Sequence, residues 1–516
     1  RVCGAAAEER AATTRLERPA VVRPAVRPAW HREAALVVVQ VGLELALVVL
    51  PAAVIAWATA SVSLGVASDR GGRLAGMPPG LLAGWLAIYA VVTTWLTVVA
   101  TSLIGCVFLR LTRFSPGLRP IGGLAACLLF YRQRKMNQIQ RIWSWSITGQ
   151  YLRALAGLRL ERVGASECDV MFNLVPEMVS SSAEVFWSHG CYTSVLSHDA
   201  RHVWLGQADL PGEVLVGNNA VVEAGQFPSR FLLGVSTPAS DARFRRQLRS
   251  RPGRPLTVAG NPPLRFATAG EPGEARHDPL PGLGLFFVRV LLNDVLRVSL
   301  LPIAEVLIYA VLVIGLVGMG SPPLAAAVLA LLLTEAMLVA MAVAAKAVLV
   351  GSRWGRDDAT PFWSLRHFFY FFSQDCFFVW CRRPLRFAAG TLLANPILRR
   401  MGCRIGRRSL FSSPMQAFDF NAVSVGDDCV VSGILQLHSF EEMRLKVKQF
   451  ALGDRAAVNV GATIMGGAGI AADTTIDSHG LVLKDMQLAS GRYRGSPAEA
   501  GGPHQHQIAV EACDAD

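Results

Sequence analysis

An aliphatic residue recurs at every sixth position in the C-terminal part of the chain. The series is Leu452, Val458, Ile464, Ile470, Ile476, Val482 and Leu488, and the residues between are mostly Gly, Ala, Asp, Asn and Thr. A period of six matches neither the face of an α-helix nor the alternation of a half-buried strand. It is typical of a left-handed parallel β-helix, in which short strands turn every six residues and each sends one aliphatic side chain inward. The ladder therefore predicts that fold for this part of the chain.

Four long apolar runs predict membrane spans at residues 35–60, 81–109, 300–317 and 324–350. Only 17% of the 516 residues are charged, and the net charge of +12 comes largely from basic residues that flank these runs. That placement argues against a nucleic-acid partner and predicts, by the positive-inside rule, two hairpins with cytoplasmic ends. We expect a multi-pass protein of the lipid membrane whose soluble domains are cytoplasmic.

The chain contains two related units, each a membrane hairpin followed by a soluble stretch. Gly217–Gly225 aligns with Gly453–Gly461, and the first copy is degenerate because Pro228 stands at a rung of its ladder. Dense aromatic residues from Phe362 to Trp380 predict a helix at the membrane interface. The predicted segments are a linker (1–33), a first hairpin (34–110), a first β-helix (111–280), a second hairpin (281–352), an interfacial aromatic helix (353–384), a second β-helix (385–500) and a disordered tail (501–516).

Several motifs in the second unit resemble the hexapeptide-repeat acyltransferase superfamily. They are Gly390-Thr-Leu-Leu, Gly402-Cys-Arg-Ile-Gly406, the loop that begins at His438, the ladder and Gly495-Ser-Pro. The alternation of hairpins with such domains resembles the C-terminal region of membrane-bound nonribosomal peptide synthetase-like proteins of the ε-poly-L-lysine synthetase type. In that family, adenylation and carrier domains precede six transmembrane helices and three acyltransferase-like domains. The resemblance implies amide formation between an amine and a carrier-bound aminoacyl thioester.

The resemblance departs from that family in extent. Two hairpin-plus-domain units are present, and no adenylation core or carrier motif is found in these residues. We therefore expect the chain to be a fragment whose upstream part is missing. The resemblance implies no directly bound cofactor, but it implies the phosphopantetheine arm of a carrier domain, supplied in cis upstream or in trans. An oligomer, or a pseudo-trimer of β-helix domains, is left open.

Acyl transfer to an amine needs a base to take the proton of the amine. His438 lies where a rung ends and a loop begins, and Glu441 and Glu442 follow it. A carboxylate beside a histidine can fix its tautomer, so these three residues are the candidate catalytic group. His202 lies as many positions before Gly217 as His438 lies before Gly453, so His202 is the equivalent residue in the first unit. Because the ladder is eroded there, we expect the first unit to be structural and not catalytic. A solvated loop histidine beside solvated glutamates is the alternative.

Other chemistry finds less support in the sequence. The ten cysteines form no CxxC pair, and no histidines cluster at the spacing of zinc ligands, so no metal site is predicted. Glu44, Glu305 and Glu335 fall inside predicted spans, where a carboxylate is a functional hypothesis such as a proton path. Two rival functions stay open: a stand-alone membrane acyltransferase that uses acyl-CoA, and a non-catalytic β-helix scaffold.

Overall fold

The structure is a computed structural model of the chain. It describes residues 38, 41–49, 53, 79–120, 124–160, 171–182, 185–188, 190–199, 202–212, 214–227, 231–239, 256–259, 264–266, 282–352, 358–413, 417–441 and 444–500. The predicted linker, most of the first predicted span, Pro228, Glu442 and the predicted tail lie outside these residues.

Three helices among the described residues are long and apolar enough to cross a membrane. They are Ile88–Leu111 (the apolar part of the helix Pro79–Leu111), Leu283–Gly318 and Pro323–Leu349. The helix Leu283–Gly318 is made of α-helix at Leu283–Arg289, π-helix at Val290–Leu300 and α-helix at Leu301–Gly318. A short connection at residues 319–322 joins it to Pro323–Leu349, which confirms the turn of the second predicted hairpin.

Shorter helices connect the apolar helices to the strands. In chain order these are Leu124–Ile142, Ile147–Ala156, Leu365–Trp380, Arg382–Ala388 and Ala394–Met401, with 3₁₀ turns at Pro176–Met178 and Phe420–Ala422 and a π-helical turn at Leu45–Val49. We call Leu365–Trp380 the bridging helix. The side chain of Ser364 caps its first turn by accepting a hydrogen bond from the backbone N–H of His367, at 3.3 Å.

Within the described residues, each unit contains three sheets of short, mostly parallel strands, which the chain visits in turn, and one antiparallel sheet. In the first unit the strands are β1 (Gly117–Pro120), β2 (Arg159–Leu160), β3 (Met171–Phe172), β4 (Val179–Ser181), β5 (Val185–Trp187), β6 (Cys191–Ser194), β7 (Leu196–His198), β8 (His202–Leu205), β9 (Ala208–Leu210), β10 (Val214–Val216), β11 (Val221–Glu223), β12 (Gly225–Gln226), β13 (Phe231–Leu233), β14 (Leu256–Ala259) and β15 (Leu264–Phe266). The parallel sheets are β2-β4-β9-β12, β5-β10-β13-β14 and β3-β6-β11, and β15 pairs antiparallel with β14.

The second unit repeats this plan. Its strands are β16 (Asp358–Pro361), β17 (Arg404–Ile405), β18 (Leu410–Phe411), β19 (Val423–Val425), β20 (Val430–Val431), β21 (Ile434–Gln436), β22 (His438–Glu441), β23 (Arg444–Val447), β24 (Phe450–Leu452), β25 (Ala457–Val458), β26 (Thr463–Met465), β27 (Gly469–Ile470), β28 (Thr474–Ile476), β29 (Leu481–Val482), β30 (Gln487–Leu488), β31 (Gly491–Arg494) and β32 (Glu499–Ala500). The parallel sheets are β17-β19-β24-β27-β30, β18-β20-β25-β28-β31 and β21-β26-β29.

The six-residue ladder forms the core of the second unit. All seven ladder residues are buried. Every third one belongs to the same sheet, so Leu452 pairs with Ile470 and Ile470 with Leu488, while Ile464 pairs with Val482. Three short parallel strands per circuit, each with one inward aliphatic side chain, give the observed period of six. The prediction of stacked parallel strands is therefore confirmed for this part of the chain.

Polar corners separate the strands. Arg455, Asp473, His479 and Asp485 all have positive φ angles, between 56° and 62°. Asn and Asp tolerate this left-handed conformation better than most residues. Arg455 and Asp473 also pair with each other across two successive circuits, with Nε 2.6 Å from Oδ1.

An antiparallel hairpin interrupts the circuits at the same place in both units. In the first unit β7 and β8 pair, and β1 adds to β8. In the second unit β22 and β23 pair, and β16 adds to β23. The two units touch close to the second hairpin, where the side-chain amide of Asn218 donates a hydrogen bond to Oε1 of Gln436.

Candidate functional site

His438 and Asp419 form a buried pair at the base of the second hairpin. Nδ1 of His438 lies 3.0 Å and 2.9 Å from the two carboxylate oxygens of Asp419. The Asp419 side chain is fully buried, whereas 10% of the His438 side chain remains exposed. Asp419 comes directly before the 3₁₀ turn Phe420–Ala422, and His438 opens β22. The fold thus brings together two residues nineteen positions apart.

Asp419 is held by further donors. The hydroxyl of Tyr370, on the bridging helix, donates to Oδ1, and the backbone N–H of Leu437 donates to Oδ2 at 3.0 Å. Burial, followed by the charge and the hydrogen bond of Asp419, raises the pKa of Tyr370 well above its usual value. Tyr370 therefore remains a neutral hydroxyl that donates to the carboxylate.

These contacts define the chemistry open to the imidazole of His438. A carboxylate that accepts from Nδ1 selects the tautomer in which Nδ1 carries the hydrogen. Nε2 is then the unprotonated nitrogen, and it makes no hydrogen bond to any residue in the part of the chain that the structure describes. An oriented imidazole with an accessible Nε2 can accept a proton from a reacting group.

Aromatic side chains from both units surround the pair. The rings of Phe371 and Phe440 lie 6.4 Å and 5.7 Å from the His438 ring. The first unit adds Trp145, 5.7 Å from the Phe440 ring, and Phe186, 4.7 Å from it. All these distances join ring centroids, and the four aromatic side chains are partly exposed. We call Trp145, Phe186, Phe371 and Phe440 the aromatic cluster.

A second imidazole borders this cluster. His367 is buried, its ring lies 4.7 Å from that of Phe371, and its Nδ1 has no hydrogen-bond partner among the described residues. Burial, and after it the charges of Arg289 and His438, hold the pKa of His367 well below its usual 6.5. His367 is therefore neutral at physiological pH.

Within the described residues, the carboxylate that pairs with His438 belongs to neither of the two predicted glutamates. Glu441 is the last residue of β22 and pairs through its backbone with Arg444, while its side chain lies outside the described part of the structure. Glu442 lies outside it entirely. Asp419 is the carboxylate beside His438, where the sequence predicts a glutamate.

The strand register corrects the predicted equivalence of His202 and His438. His438 pairs with Val447, which in turn pairs with Asp358 of β16. In the first unit, Leu196 occupies the corresponding position. It pairs with Leu205, which in turn pairs with Gly117 of β1.

His202 itself occupies a different position in the hairpin. It pairs with Pro120 just as Arg444 pairs with Pro361, so it corresponds to Arg444. Its side chain is 42% exposed, with Nδ1 3.7 Å from Asp199.

The first unit also has apolar residues where the second has Asp419 and Tyr370. Val175 precedes the 3₁₀ turn Pro176–Met178 as Asp419 precedes Phe420–Ala422. The helix Leu124–Ile142 follows β1 as the bridging helix follows β16, and this places Leu129 at the position of Tyr370. The buried pair is therefore a feature of the second unit.

The carboxylates of the apolar helices have cationic partners. Arg383 contacts both Glu305 and Glu335, the latter at 3.2 Å, and Glu44 lies 3.5 Å from Lys135 and Arg134. Their proposed role in a proton path stays a prediction. No group of three His, Cys, Asp or Glu side chains suited to a metal ion occurs within the described residues.

Sequence reasoning missed Asp419 and Tyr370. Asp419 stands between two phenylalanines, and Tyr370 stands within the aromatic run of the bridging helix. The only local signal was an acidic residue in an apolar stretch that ends in a buried strand. No known protein family matches the chain, and no curated protein is similar enough to match it.

Proposed function

We propose that the second unit is an acyltransferase in which His438 is the general base. The observation that carries the proposal is the Asp419–His438 pair, with Nδ1 held by a buried carboxylate and Nε2 left for a proton. We also propose that both units are left-handed parallel β-helices. The support for that fold is the three-sheet plan and the stacking of ladder residues from successive circuits.

The proposed reaction joins an amine to an aminoacyl thioester. Nε2 of His438 takes a proton as the amine nitrogen attacks the thioester carbonyl, which forms the C–N bond. The C–S bond then breaks, and the imidazolium returns the proton to the leaving thiolate. Asp419 stabilises the imidazolium between these steps, because a fully buried carboxylate faces Nδ1 at hydrogen-bonding distance.

The thioester arrives as a substrate on the phosphopantetheine arm of a carrier domain. The aromatic cluster offers apolar surface beside His438 for the chain of the acyl group. Because Trp145 and Phe186 belong to the first unit, the proposal assigns that unit a binding role without a base of its own. We propose that both units lie on the cytoplasmic side, with the hairpins in the membrane.

The test measures single-turnover amide formation from a preloaded aminoacyl carrier supplied in trans. His438→Ala should lower the rate about 10²–10⁴-fold, the usual share of general acid–base catalysis. The melting transition should change little, because Asp419 keeps the hydrogen bonds from Tyr370 and Leu437. His202→Ala is the matched control, and its half-exposed side chain should be dispensable.

The other outcomes separate the rivals. Activity with acyl-CoA but none with the loaded carrier would favour a stand-alone membrane acyltransferase. Full activity of His438→Ala in the complete enzyme would leave this unit as a scaffold. A large loss from His202→Ala with none from His438→Ala would move the base to the first unit.

A further inference from the structure

A cavity of about 490 Å³ opens in the first unit, at the end of its apolar helix. Three arginines line it: Arg110, Arg113 and Arg159. Its volume falls in the range of about 300–1,000 Å³ that is usual for small-molecule sites. This cavity is separate from the Asp419–His438 pair of the second unit, and the proposed acyl transfer does not use it.

The cationic charge of the cavity is not balanced by its one acidic lining residue. Glu177 lies in the wall, but its carboxylate is already engaged by Arg132, with Nη1 2.7 Å from Oε1, and by the backbone N–H of Phe114 at 2.9 Å. Both side chains of this ion pair are buried. Within the described residues, no carboxylate pairs with the guanidinium groups of Arg113 or Arg159.

Two of the three arginines, Arg110 and Arg113, lie near the end of the helix Ile147–Ala156. Nη1 of Arg110 donates to the carbonyl oxygen of Leu155 at 3.5 Å, in the last turn of the helix Ile147–Ala156. Gly157 ends that helix with φ +120°, and a Cβ atom there would lie 3.4 Å from Nε and Nη2 of Arg113. The Arg113 side chain therefore lies beside the end of the helix. Arg159 follows in β2.

The position of the cavity along the apolar helix indicates the kind of ligand. Arg110 stands in the last turn of the stretch Ile88–Leu111, which is long and apolar enough to cross a membrane. Anionic headgroups lie where such a stretch ends, and each nearby Lys or Arg attracts them with about 1 kcal/mol. Guanidinium groups also match phosphate oxygens in paired hydrogen bonds.

We propose that this cavity binds a phosphate group. The group is either the phosphodiester of an anionic lipid or the phosphate of a soluble ester. Arg113 and Arg159 supply the hydrogen bonds to its oxygens, and Arg110 supplies charge at the membrane end. The proposal does not depend on the function of His438.

The test uses the whole chain in nanodiscs and two probes. The lipid arm compares phosphatidylcholine discs with discs that also contain phosphatidylglycerol, and native mass spectrometry measures the lipid retained. The soluble arm titrates inorganic phosphate into phosphatidylcholine discs. Arg113→Gln with Arg159→Gln should weaken binding of the effective probe about 25-fold, since each arginine contributes about fivefold.

Two control variants separate the effect of these two arginines from a general effect of lost charge. Arg404→Gln with Arg444→Gln removes the same charge from exposed positions of the second unit and should leave binding unchanged. Arg113→Lys with Arg159→Lys keeps the charge, so it should recover part of the lost affinity.

A measurement on the unaltered chain avoids any effect on folding. The effective probe should protect Arg113 and Arg159, but not Arg404, from an arginine-directed reagent. Retention of phosphatidylglycerol alone identifies the lipid source, and a response to phosphate alone identifies the soluble source. The proposal is wrong if the double Gln variant binds both probes as well as the unaltered chain does and neither probe protects Arg113 or Arg159.

Discussion

Asp419→Asn tests whether the negative charge beside His438 supports catalysis. The substitution keeps the size of the buried side chain. Its amide oxygen must take the place of Oδ2, because the backbone N–H of Leu437 points there and can only donate. The amide nitrogen then faces the hydroxyl of Tyr370, which can turn to accept a hydrogen bond. The packing is retained and the charge is lost.

The expected size of the effect follows from the distance. The carboxylate oxygens lie 2.9 Å and 3.0 Å from Nδ1, which puts the centres of charge about 4 Å apart. At an effective dielectric constant of about 20, an imidazolium and a carboxylate at that separation attract by about 4 kcal/mol. Since about 1.4 kcal/mol corresponds to a factor of ten, Asp419→Asn should lower kcat about 10³-fold.

Stability should respond differently from rate. Asp419→Asn should lower the free energy of unfolding by about 1–2 kcal/mol, because the Leu437 N–H keeps its acceptor and the Tyr370 hydroxyl keeps a hydrogen bond, now as the acceptor. Asp419→Ala removes the carboxylate that accepts from the Tyr370 hydroxyl and the Leu437 N–H, which costs about 1–3 kcal/mol for each buried donor that finds no other acceptor. Comparing the two variants separates the charge from the hydrogen bonds.

The assay is single-turnover amide formation with a loaded carrier, followed by mass spectrometry, with thermal unfolding measured on the same samples. The control is Asp428→Asn, which removes a surface ion pair with Arg408 and should leave the melting temperature nearly unchanged. If Asp419→Asn forms amide within threefold of Asp428→Asn, the pair does not act as proposed and holds the bridging helix in place instead.

Three further outcomes test the fold and its setting. Ile470→Asp puts an unpaired carboxylate into the ladder and should unfold the second unit. Asp473→Asn, at a corner with φ 58°, should leave the melting temperature nearly unchanged, and equal tolerance of the two substitutions would show that the ladder is not the core. The lowered pKa of His367 means that the unfolded chain binds its proton first, so the stability it contributes is present above pH 6.5 and is lost as pH falls below it. His367→Phe should flatten this fall in melting temperature, His479→Asn should not, and a fall of unchanged steepness in His367→Phe would contradict the assignment. A reporter inserted at Ser321 should lie outside the cytoplasm and one at the C-terminal end of the second unit inside it; the same side for both would refute the hairpin topology.

The ladder could be predicted from the sequence because its signal is local and periodic. An inward side chain at every sixth position follows from three short strands per circuit, so the residue types alone identify the core. The corners were less predictable. The residue types between the rungs do not show which corners have a left-handed backbone. Asp473 has φ 58°, which makes Asn a better replacement than Ala.

The same periodicity misled the alignment of the two units. Repeats of six residues resemble one another, so matching Gly217 with Gly453 selected a register that differs from the one in the sheets. The strand pairs remove this ambiguity, because the hairpins tie Leu196 and His438 to equivalent partners. Neighbouring circuits look alike in sequence, and only the hydrogen bonds between strands distinguish them.

The contacts of Asp419 with Tyr370 and His438 could not be predicted because they join three separate segments. Asp419, Tyr370 and His438 come from a loop, a helix and a hairpin, and no spacing rule links them. Composition also concealed them, since Tyr370 and Asp419 both stand among phenylalanines. A buried carboxylate becomes informative only when its donors are known.

The bridging helix gives the membrane hairpin a direct connection to the proposed chemistry. The sequence predicts that this aromatic segment lies at the membrane interface, and its contacts connect the hairpin with the second unit. Trp380 donates to the carbonyl of Leu301 at 2.9 Å in the hairpin, while the ring of Phe377 packs 4.7 Å from that of Phe420 in the second unit. Ten residues before Trp380, Tyr370 donates to Asp419. A helix of this length is stiff, so the hairpin fixes where Tyr370 stands and thereby helps to hold the carboxylate against His438. On this argument the hairpin does more than anchor the chain, because it also contributes to the geometry of the proposed base.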